Sequence, residues 1–469
     1  MANTRTIVGA VLQSGIEAAG NSVSRSARHL IRSMALATLA AAGFTSLIGC
    51  GNTYRPVVAA INPVGPSSQP SKYAIAMSNP GTGNPGLITI VDFSGDTVLI
   101  TANIGVDPKY LVLNATGTTG YTINGDGTLN VFGISTSLLT SQILETTLLS
   151  DANPVSIFPQ GTNTYVSETG RNAIGEFQGS PLALKQELTV TDPVYVVGLS
   201  AAPRVYALSG SGGSVSSIET GTNTISSTFN VGTNPVYGIM SADGKRAYIM
   251  NKGSGTVSVI NVQTNTLDSS TALPTGTIQV GTSPLWADFA PTLSEMAVAN
   301  AGNGTTNGTL SLISIPLCSA LASTTNPNCD TTNPVDATGF GTVLATVPVG
   351  VSPVMVSVLQ DGTRAYVANS GDTSLPCVST STSTATGNCS VSVVNLTSNS
   401  VTKTIPLSCR PSYIAATTGT PTGKVYVVCN DSGNLAASQN MTVIETDTDT
   451  IDTTIPLQGT GVSVRVTAQ

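Results

Sequence analysis

The sequence predicts an all-β protein built from a repeated unit of four short antiparallel strands, and three observations lead to this prediction. The first is composition: the 469 residues include 47 glycines and 26 prolines, with 40% hydrophobic and 9% charged residues. The second is a short phrase that recurs along the chain. The third is the alternation of apolar and polar residues that follows most copies of it. The apolar content is sufficient for a core, which excludes a disordered chain.

A β-favouring pentapeptide that ends in a small polar residue recurs eight times. Its clearest copies lie in "RAYIMN", which ends at Asn251, and "RAYVAN", which ends at Asn369. The first five copies follow one another at 41 to 45 residues. The copies end at Asn79, Asn124, Glu168, Ser209, Asn251, Asn300, Asn369 and Asn430. A repeat of this length indicates a small unit that must stack on its neighbours to bury a core.

Each copy is preceded by a proline that opens an apolar stretch. These residues are Pro56, Pro108, Pro154, Pro193, Pro235, Pro284, Pro353 and Pro411. Alternating runs such as "TVSVIN" and "VTKTIPL" follow most copies and would form a third and a fourth strand. Four short strands joined by Gly, Asn and Asp turns are the unit of a β-propeller blade. We therefore expect a β-propeller of eight four-stranded antiparallel blades over residues 72–469, with seven blades as the alternative.

The repeats resemble the YVTN-repeat family of bacterial β-propellers, which is related in fold to the lactonase-like propellers. Residues 366–369, Tyr-Val-Ala-Asn, are the best copy of that signature. The C-terminal tail "GVSVRVTAQ", residues 461–469, looks like a ninth first strand. We expect it to supply the innermost strand of blade 1 and to displace "RPVVAAINP" from the ring. Closure would pair a strand edge that otherwise stays open.

The first 49 residues have the features of a signal peptide. Three arginines precede the apolar run "MALATLAAAGFTSLIGC", which is short for a membrane span. The end of this run, residues 47–50, resembles a bacterial lipobox, and the resemblance implies cleavage before Cys50 and lipid on its thiol. Gly51 after the cysteine then implies the outer membrane. Residues 50–71 are predicted to be a lipid-anchored flexible tether. The alternative is an ordinary secretory signal with an incidental cysteine.

Six further cysteines indicate disulfides, because an even number in an exported chain favours pairing. The predicted pairs are Cys318 with Cys329, Cys377 with Cys389, and Cys409 with Cys429. The first two would close insertions in blades 6 and 7, and the third would join two strands that a hairpin places side by side. Metal binding is the rival interpretation, but no CxxC spacing is present. The one histidine, His29, lies in the predicted leader.

The recurring phrase is interpreted first as structural. Tyr248 and Tyr366 would contact neighbouring blades, and Asn251 and Asn369 would begin the next turn, because asparagine tolerates left-handed geometry. The polar ends of the second strands should ring one face together with the residues that precede the prolines. Four charged residues of this mouth are candidates for a small-ligand or ion site: Asp107, Asp192, Arg410 and Glu168. The simpler interpretation is a polar lining of a watery channel.

The lack of histidine after the leader limits the chemistry. Ser-His-Asp and Cys-His mechanisms and imidazole metal ligands are excluded, which leaves carboxylate chemistry. No cofactor is expected, and the alternative is a divalent cation such as calcium bound in the channel. Glu168 with Arg171 in "SETGRN" is the strongest enzymatic candidate, and sequence drift in blade 3 is the simpler explanation. Trp286 fits either the core or a stacking platform.

These features favour a non-enzymatic binding or scaffold propeller at the bacterial cell envelope. Its partner would be an envelope protein or glycan, recognised by face loops such as the insertions 316–339 and 371–389. The net charge is −7, and removal of residues 1–49 leaves about −10 because four arginines and one glutamate are lost. Nucleic acid is therefore excluded, and the lipid anchor would be the sole membrane contact. The alternative, implied by the resemblance, is a metal-dependent lactonase-like hydrolase or isomerase acting in the channel.

Overall fold

The protein is an eight-bladed β-propeller in which each blade is a sheet of antiparallel strands. The computed structural model describes residues 72–467, except 136–137, 139, 201, 270–272, 316–338, 378–387 and 418–422. The predicted signal peptide, Cys50 and the tether lie outside the described residues, as do Cys318 and Cys329. The expected blade number is confirmed, and the seven-blade alternative is excluded.

The strands follow one another blade by blade. In blades 1 to 4 they are β1 (Tyr73–Asn79), β2 (Pro85–Asp92), β3 (Thr97–Val106), β4 (Pro108–Leu113), β5 (Thr119–Asn124), β6 (Thr128–Gly133), β7 (Leu144–Thr147), β8 (Pro154–Gln160), β9 (Asn163–Glu168), β10 (Ala173–Gln178), β11 (Ala183–Thr189), β12 (Pro193–Val197), β13 (Arg204–Ser209), β14 (Ser214–Glu219) and β15 (Thr224–Asn230).

Blades 5 to 8 continue the same order. Their strands are β16 (Pro235–Met240), β17 (Arg246–Asn251), β18 (Thr256–Asn261), β19 (Thr266–Leu267), β20 (Thr277–Gln279), β21 (Pro284–Ala290), β22 (Glu295–Asn300), β23 (Asn307–Ser314), β24 (Val343–Val351), β25 (Pro353–Val358), β26 (Arg364–Asn369), β27 (Ser390–Asn395), β28 (Ser400–Pro406), β29 (Pro411–Thr417), β30 (Lys424–Cys429), β31 (Asn440–Glu445), β32 (Thr450–Pro456) and β33 (Thr460–Val466). A short helix α1 (Leu435–Ser438) precedes β31, and 3-10 turns occupy Thr140–Gln142 and Thr169–Arg171.

The C-terminal strand closes the ring. β33 pairs antiparallel with β1, so that Ala74 lies opposite Val466 and Asn79 opposite Thr460. Blade 1 therefore has the order β3-β2-β1-β33, with its innermost strand taken from the far end of the chain. This confirms the predicted role of the tail and leaves β1 without an open edge.

The prolines mark one face of the ring, which we call the proline face. In seven blades the innermost strand begins with a proline and shifts register directly after it. In six of these the preceding residue has a left-handed backbone: Asp107 (φ 57°), Asn153 (φ 44°), Asp192 (φ 45°), Asn234 (φ 51°), Ser283 (φ 55°) and Ser352 (φ 51°). A proline disfavours the right-handed helical region for the residue before it, and short polar residues tolerate the left-handed one. The opposite face is called the cavity face.

The asparagines that end the second strands differ from the expectation. Asn251 and Asn369 are fully buried, and neither has a positive φ. The Asn251 side chain donates hydrogen bonds to Thr256 Oγ1 (3.2 Å) and Ser258 Oγ (3.0 Å) on the third strand of its blade. Asn251 does precede the turn to the third strand, as predicted, but the expected left-handed geometry and the exposure of both residues at the mouth were wrong. Their amides instead hold the third strand, because a buried amide must find partners.

The tyrosine of the repeated phrase connects neighbouring blades. Its hydroxyl reaches a residue with a left-handed backbone in the outer hairpin of the next blade. The pairs are Tyr165 with Asn223 (2.5 Å), Tyr206 with Asn265 (3.4 Å), Tyr366 with Asp449 (2.6 Å) and Tyr426 with Asp96 (3.4 Å). Arg364 and Lys424, two positions before their tyrosines, bind the same aspartates. The phrase "RAYVAN" thus encodes contacts both within a blade and between blades.

Tyr366→Phe should lower the free energy of unfolding by about 1.5–3 kcal/mol, because it removes a buried hydrogen bond to the charged Asp449. The matched control is Tyr248→Phe in blade 5, whose hydroxyl is buried and has no hydrogen-bond partner within the described part of the chain. This change should cost close to nothing. Urea unfolding of both variants measures the difference, and equal losses would contradict the role given to the hydroxyl.

Candidate functional site

The charged residues predicted at the mouth lie on the proline face, and no contact joins any two of them within the described chain. Asp107 accepts a hydrogen bond from Asn79 Nδ2 (3.3 Å) and pairs with Lys109 Nζ (2.6 Å). Asp192 accepts a hydrogen bond from the backbone N–H of Ser211 at 2.8 Å. Each of these carboxylates is bound by its own or the adjacent blade. Within the described ranges, no three His, Cys, Asp or Glu side chains converge as metal ligands.

Arg410 binds the loops between blades 7 and 8. Its Nη1 donates to the carbonyl of Ser370 (2.7 Å), and its Nη2 donates to the carbonyl of Leu375. Its Nε lies 4.0 Å from Asp431 Oδ1. The guanidinium therefore stabilises the start of blade 8 against the preceding insertion.

Glu168 replaces the buried asparagine in blade 3. It pairs with Pro154 in register and is fully buried, yet neither carboxylate oxygen has a hydrogen-bond partner in the described residues. Gly175 makes room for it, since a Cβ there would lie 2.6 Å from Glu168 Oε1. Burial and the nearby Glu187 raise the pKa of Glu168 to about 7, although Arg171 at 3.8 Å lowers it. Glu168 is thus a protonatable group in the wall of blade 3.

Stability should depend on pH through Glu168. Its folded-state pKa lies above the unfolded value of 4.5. Its contribution to the free energy of unfolding is therefore fully present below pH 4.5 and is lost as pH rises through about 7. The Glu168→Gln variant cannot ionise and keeps the pair of Arg171 with Glu187. Its free energy of unfolding relative to wild type should rise by about 3 kcal/mol between pH 4 and pH 8. Urea unfolding across this range measures the change, and a constant difference would refute it.

The centre of the ring holds an aromatic cluster that the sequence interpretation missed. It consists of the residues two positions after the prolines of five blades: Tyr110, Tyr195, Tyr237, Trp286 and Tyr413. Tyr237 and Trp286 stack with ring centroids 3.8 Å apart, and Trp286 meets Tyr413 edge-on at 5.6 Å. Tyr195 lies 5.0 Å from Tyr237 and shares a hydroxyl contact of 3.2 Å with Tyr110. Because these rings come from different blades, they meet across the channel.

A cavity of about 580 Å³ lies in the channel on the cavity-face side of this cluster. Tyr110, Tyr195, Tyr237 and Trp286 line it, together with residues from the distal ends of the innermost strands. Its rim includes the exposed residues Ala115 and Gln360. Its volume is in the range of small-molecule binding sites.

Two oppositely charged residues line the cavity. Arg465, on the closing strand β33, donates from Nε to the carbonyl of Leu111 (3.0 Å) and from Nη2 to the Tyr110 hydroxyl (3.0 Å). Its guanidinium lies 5.4 Å from the ring centroid of Tyr110 and 4.5 Å from that of Tyr413. The aromatic contacts fix the cation in place.

Asp288 is the acidic residue of this cavity. Its Oδ1 accepts from the backbone N–H of Phe289 (2.9 Å), and its Oδ2 accepts from that of Val358 (2.8 Å). Burial raises its pKa to about 6, although the two backbone donors and Arg465 lower it. At neutral pH the site therefore presents one carboxylate and one guanidinium above an aromatic surface.

A sequence signal for this cavity existed. Five repeats contain proline, any residue and then an aromatic residue, as in "PKY", "PVY", "PLW" and "PSY". Only Trp286 was singled out, with core and stacking left open, and the structure places it at the cavity in a stack. Arg465 was recognisable as a charge inside the alternating tail. Asp288 had no comparable signal, because its place in the channel depends on the bulged register of β21.

Two of the expected disulfides are present. Cys377 is bonded to Cys389, and Cys409 to Cys429. Cys429 lies opposite Pro411, where four other blades have asparagine, so a disulfide takes the place of the amide network in blade 8. These bonds fit an extracellular or periplasmic compartment. Among the described helices, none has the length and apolar character needed to span a membrane.

The fold and the central cavity define the protein as an eight-bladed β-propeller with a ligand-sized cavity on its axis. No protein-family model matches the chain, and no curated protein matches it. Solved structures with a similar fold include apo AztD from Citrobacter koseri, at 11% identity and a TM-score of 0.52, covering 84% of this chain and 96% of that one.

Two other structures are similar. The dihydro-heme d1 dehydrogenase NirN, solved in complex with DHE, is 9% identical with a TM-score of 0.57 and covers 85% of this chain and 75% of its own. A putative 6-phosphogluconolactonase from Bacteroides fragilis is 14% identical with a TM-score of 0.48, and the match covers 86% of this chain and 99% of that one. At identities of 9 to 14%, these likenesses concern the fold alone.

Proposed function

We propose that the protein is an exported, lipid-anchored β-propeller of the YVTN-repeat kind that acts as a non-enzymatic binding or scaffold module at the bacterial cell envelope. The partner is an envelope protein or glycan recognised by face loops. The anchor is a lipid on Cys50, which follows the lipobox-like residues 47–50. The two disulfides support export.

The observation that carries the proposal is how the charged residues of the proline face are used. Asp107, Asp192 and Arg410 each bind loops of their own or an adjacent blade, which stabilises the face without assembling a reaction centre. Long connections leave the ring on both faces. The connection after β26 starts on the proline face, whereas the connection after β23 starts on the cavity face. Each is therefore a separate recognition element.

The lipid anchor can be tested by metabolic labelling. Cells that express the wild-type chain should incorporate labelled fatty acid into the protein, and Cys50→Ala should abolish the label because the thiol is the attachment point. The Cys409→Ala, Cys429→Ala double variant is a control that keeps Cys50 and should retain the label. Label that persists in Cys50→Ala would refute the anchor.

Partner recognition can be tested by pull-down from envelope extract. Replacement of residues 378–387 by a short Gly-Ser segment keeps the Cys377–Cys389 disulfide, and replacement of residues 316–338 alters the other face separately. At least one replacement should reduce partner recovery about tenfold or more, because it removes the recognition surface. The Asp107→Asn, Asp192→Asn double variant should change recovery little. Unchanged recovery with both replacements would overturn the scaffold proposal.

The second candidate is a lactonase-like hydrolase or isomerase, and the opposite charges of Asp288 and Arg465 in one cavity favour it. Such an enzyme would open a lactone or sugar-acid substrate in the channel, and a divalent cation such as calcium is the cofactor to test. Turnover that disappears in Asp288→Asn, while the loop replacements keep it, would favour the enzyme. The Asp107→Asn, Asp192→Asn double variant is the matched control on the other face.

A further inference from the structure

Neither charged residue of the central cavity has a counter-charge within ion-pair distance among the described residues. Arg465 forms no ion pair within the described part of the chain, since no carboxylate oxygen lies within 4.0 Å of its nitrogens. Its Nη1 donates no hydrogen bond there, whereas Nε and Nη2 are used. Asp288 receives two backbone N–H groups and no side-chain donor from the described residues. Both side chains are half-buried. A partly desolvated charge without a counter-charge carries a cost, so both groups are suited to a charged ligand.

These two groups are too far apart to neutralise each other by contact, yet they lie close enough to interact. They form no ion pair within 4.0 Å among the described residues, while Arg465 still lowers the pKa of Asp288. Both residues line one cavity of about 580 Å³. Both charges therefore face the same ligand space.

We propose that the central cavity binds a small zwitterion, of the amino-acid or short-peptide class, with its carboxylate on Arg465 and its ammonium group on Asp288. Arg465 presents a free edge of a planar guanidinium, which suits a carboxylate. Asp288 presents carboxylate lone pairs that accept from an ammonium group. The rings of Tyr195, Tyr237 and Trp286 supply apolar surface for the side chain of the ligand.

Other ligand classes satisfy the cavity less well. A simple anion would pair with Arg465 but would bring a second negative charge towards Asp288. A simple cation would pair with Asp288 but would bring a second positive charge towards Arg465. A neutral sugar would leave both charges without counter-charges, even though it could stack on the aromatic rings. The zwitterion is the class that compensates both residues and leaves the net charge of the site unchanged.

This inference goes beyond the proposed function, because it concerns the channel and not the face loops. Calorimetric titration of the purified protein with the dipeptide Ala-Leu tests it, with N-acetyl-Ala-Leu and Ala-Leu amide as matched probes. Ala-Leu should bind, and capping either end should weaken binding about ten- to hundredfold, because a charge-assisted hydrogen bond is lost. Leucine as a fourth probe separates the two ligand sources: the tighter of leucine and Ala-Leu identifies an amino-acid or a peptide site.

Variants of Arg465 and Asp288 test whether these two residues hold the ligand. Arg465→Gln and Asp288→Asn should each weaken binding of Ala-Leu about tenfold or more, and Arg465→Lys should restore part of the affinity. Asp107→Asn on the proline face should leave it unchanged. Thermal unfolding verifies that each variant is folded, and Asp288→Asn keeps the test decisive if Arg465→Gln disturbs the closing strand. Equal binding of the capped and free dipeptides, or no binding of any probe, would overturn the proposal whether or not the loops capture a partner.

Discussion

The ring depends on one pairing, the antiparallel contact of β33 with β1. Each blade buries its faces only against its two neighbours, so a ring with an open blade 1 would expose a strand edge and a stretch of core. Because β33 comes from the C-terminus, closure has to join the two ends of the propeller. The same pairing places Arg465 in the channel, since the innermost strand of each blade faces the axis. One strand therefore provides both the closure and the cation of the cavity.

Between the blades, a repeated polar contact accompanies the apolar packing. The tyrosine of the second strand is buried in the wall between blades, and its hydroxyl reaches the outer hairpin of the next blade, as in Tyr366 with Asp449. Within the blade, an asparagine binds the hydroxyls of the third strand, as Asn369 does with Ser392 at 3.0 Å. Blade 3 departs from this pattern, because Glu168 replaces the asparagine and Gly175 on the third strand leaves room for its carboxylate. Blade 8 departs by a disulfide at Cys429.

Three charged residues predicted at the mouth bind the loops of the proline face and do not contact one another in the described chain. Asp107, Asp192 and Arg410 stand out in the sequence because charge is scarce, but each stabilises a loop on the proline face. The rings that line the cavity belong to Tyr110, Tyr195, Tyr237 and Trp286, and their sequence signal is limited to an aromatic residue two positions after a proline. Their role depends on where the bulge after each proline points the side chain.

The sequence by itself determined the class of fold, the eight repeats, the C-terminal closing strand and two cysteine pairs, because these follow from local pattern and from the fixed spacing of hairpins. It did not determine the partners of the asparagines, which required the third strand to lie beside them. It did not determine the central cavity either. Tyr110, the blade 6 residues Trp286 and Asp288, and Arg465 come from three blades far apart along the chain, and only closure of the ring brings them together. The repeat shows where the aromatic residues stand but not which side chains meet across the axis, so the tertiary structure decided the site.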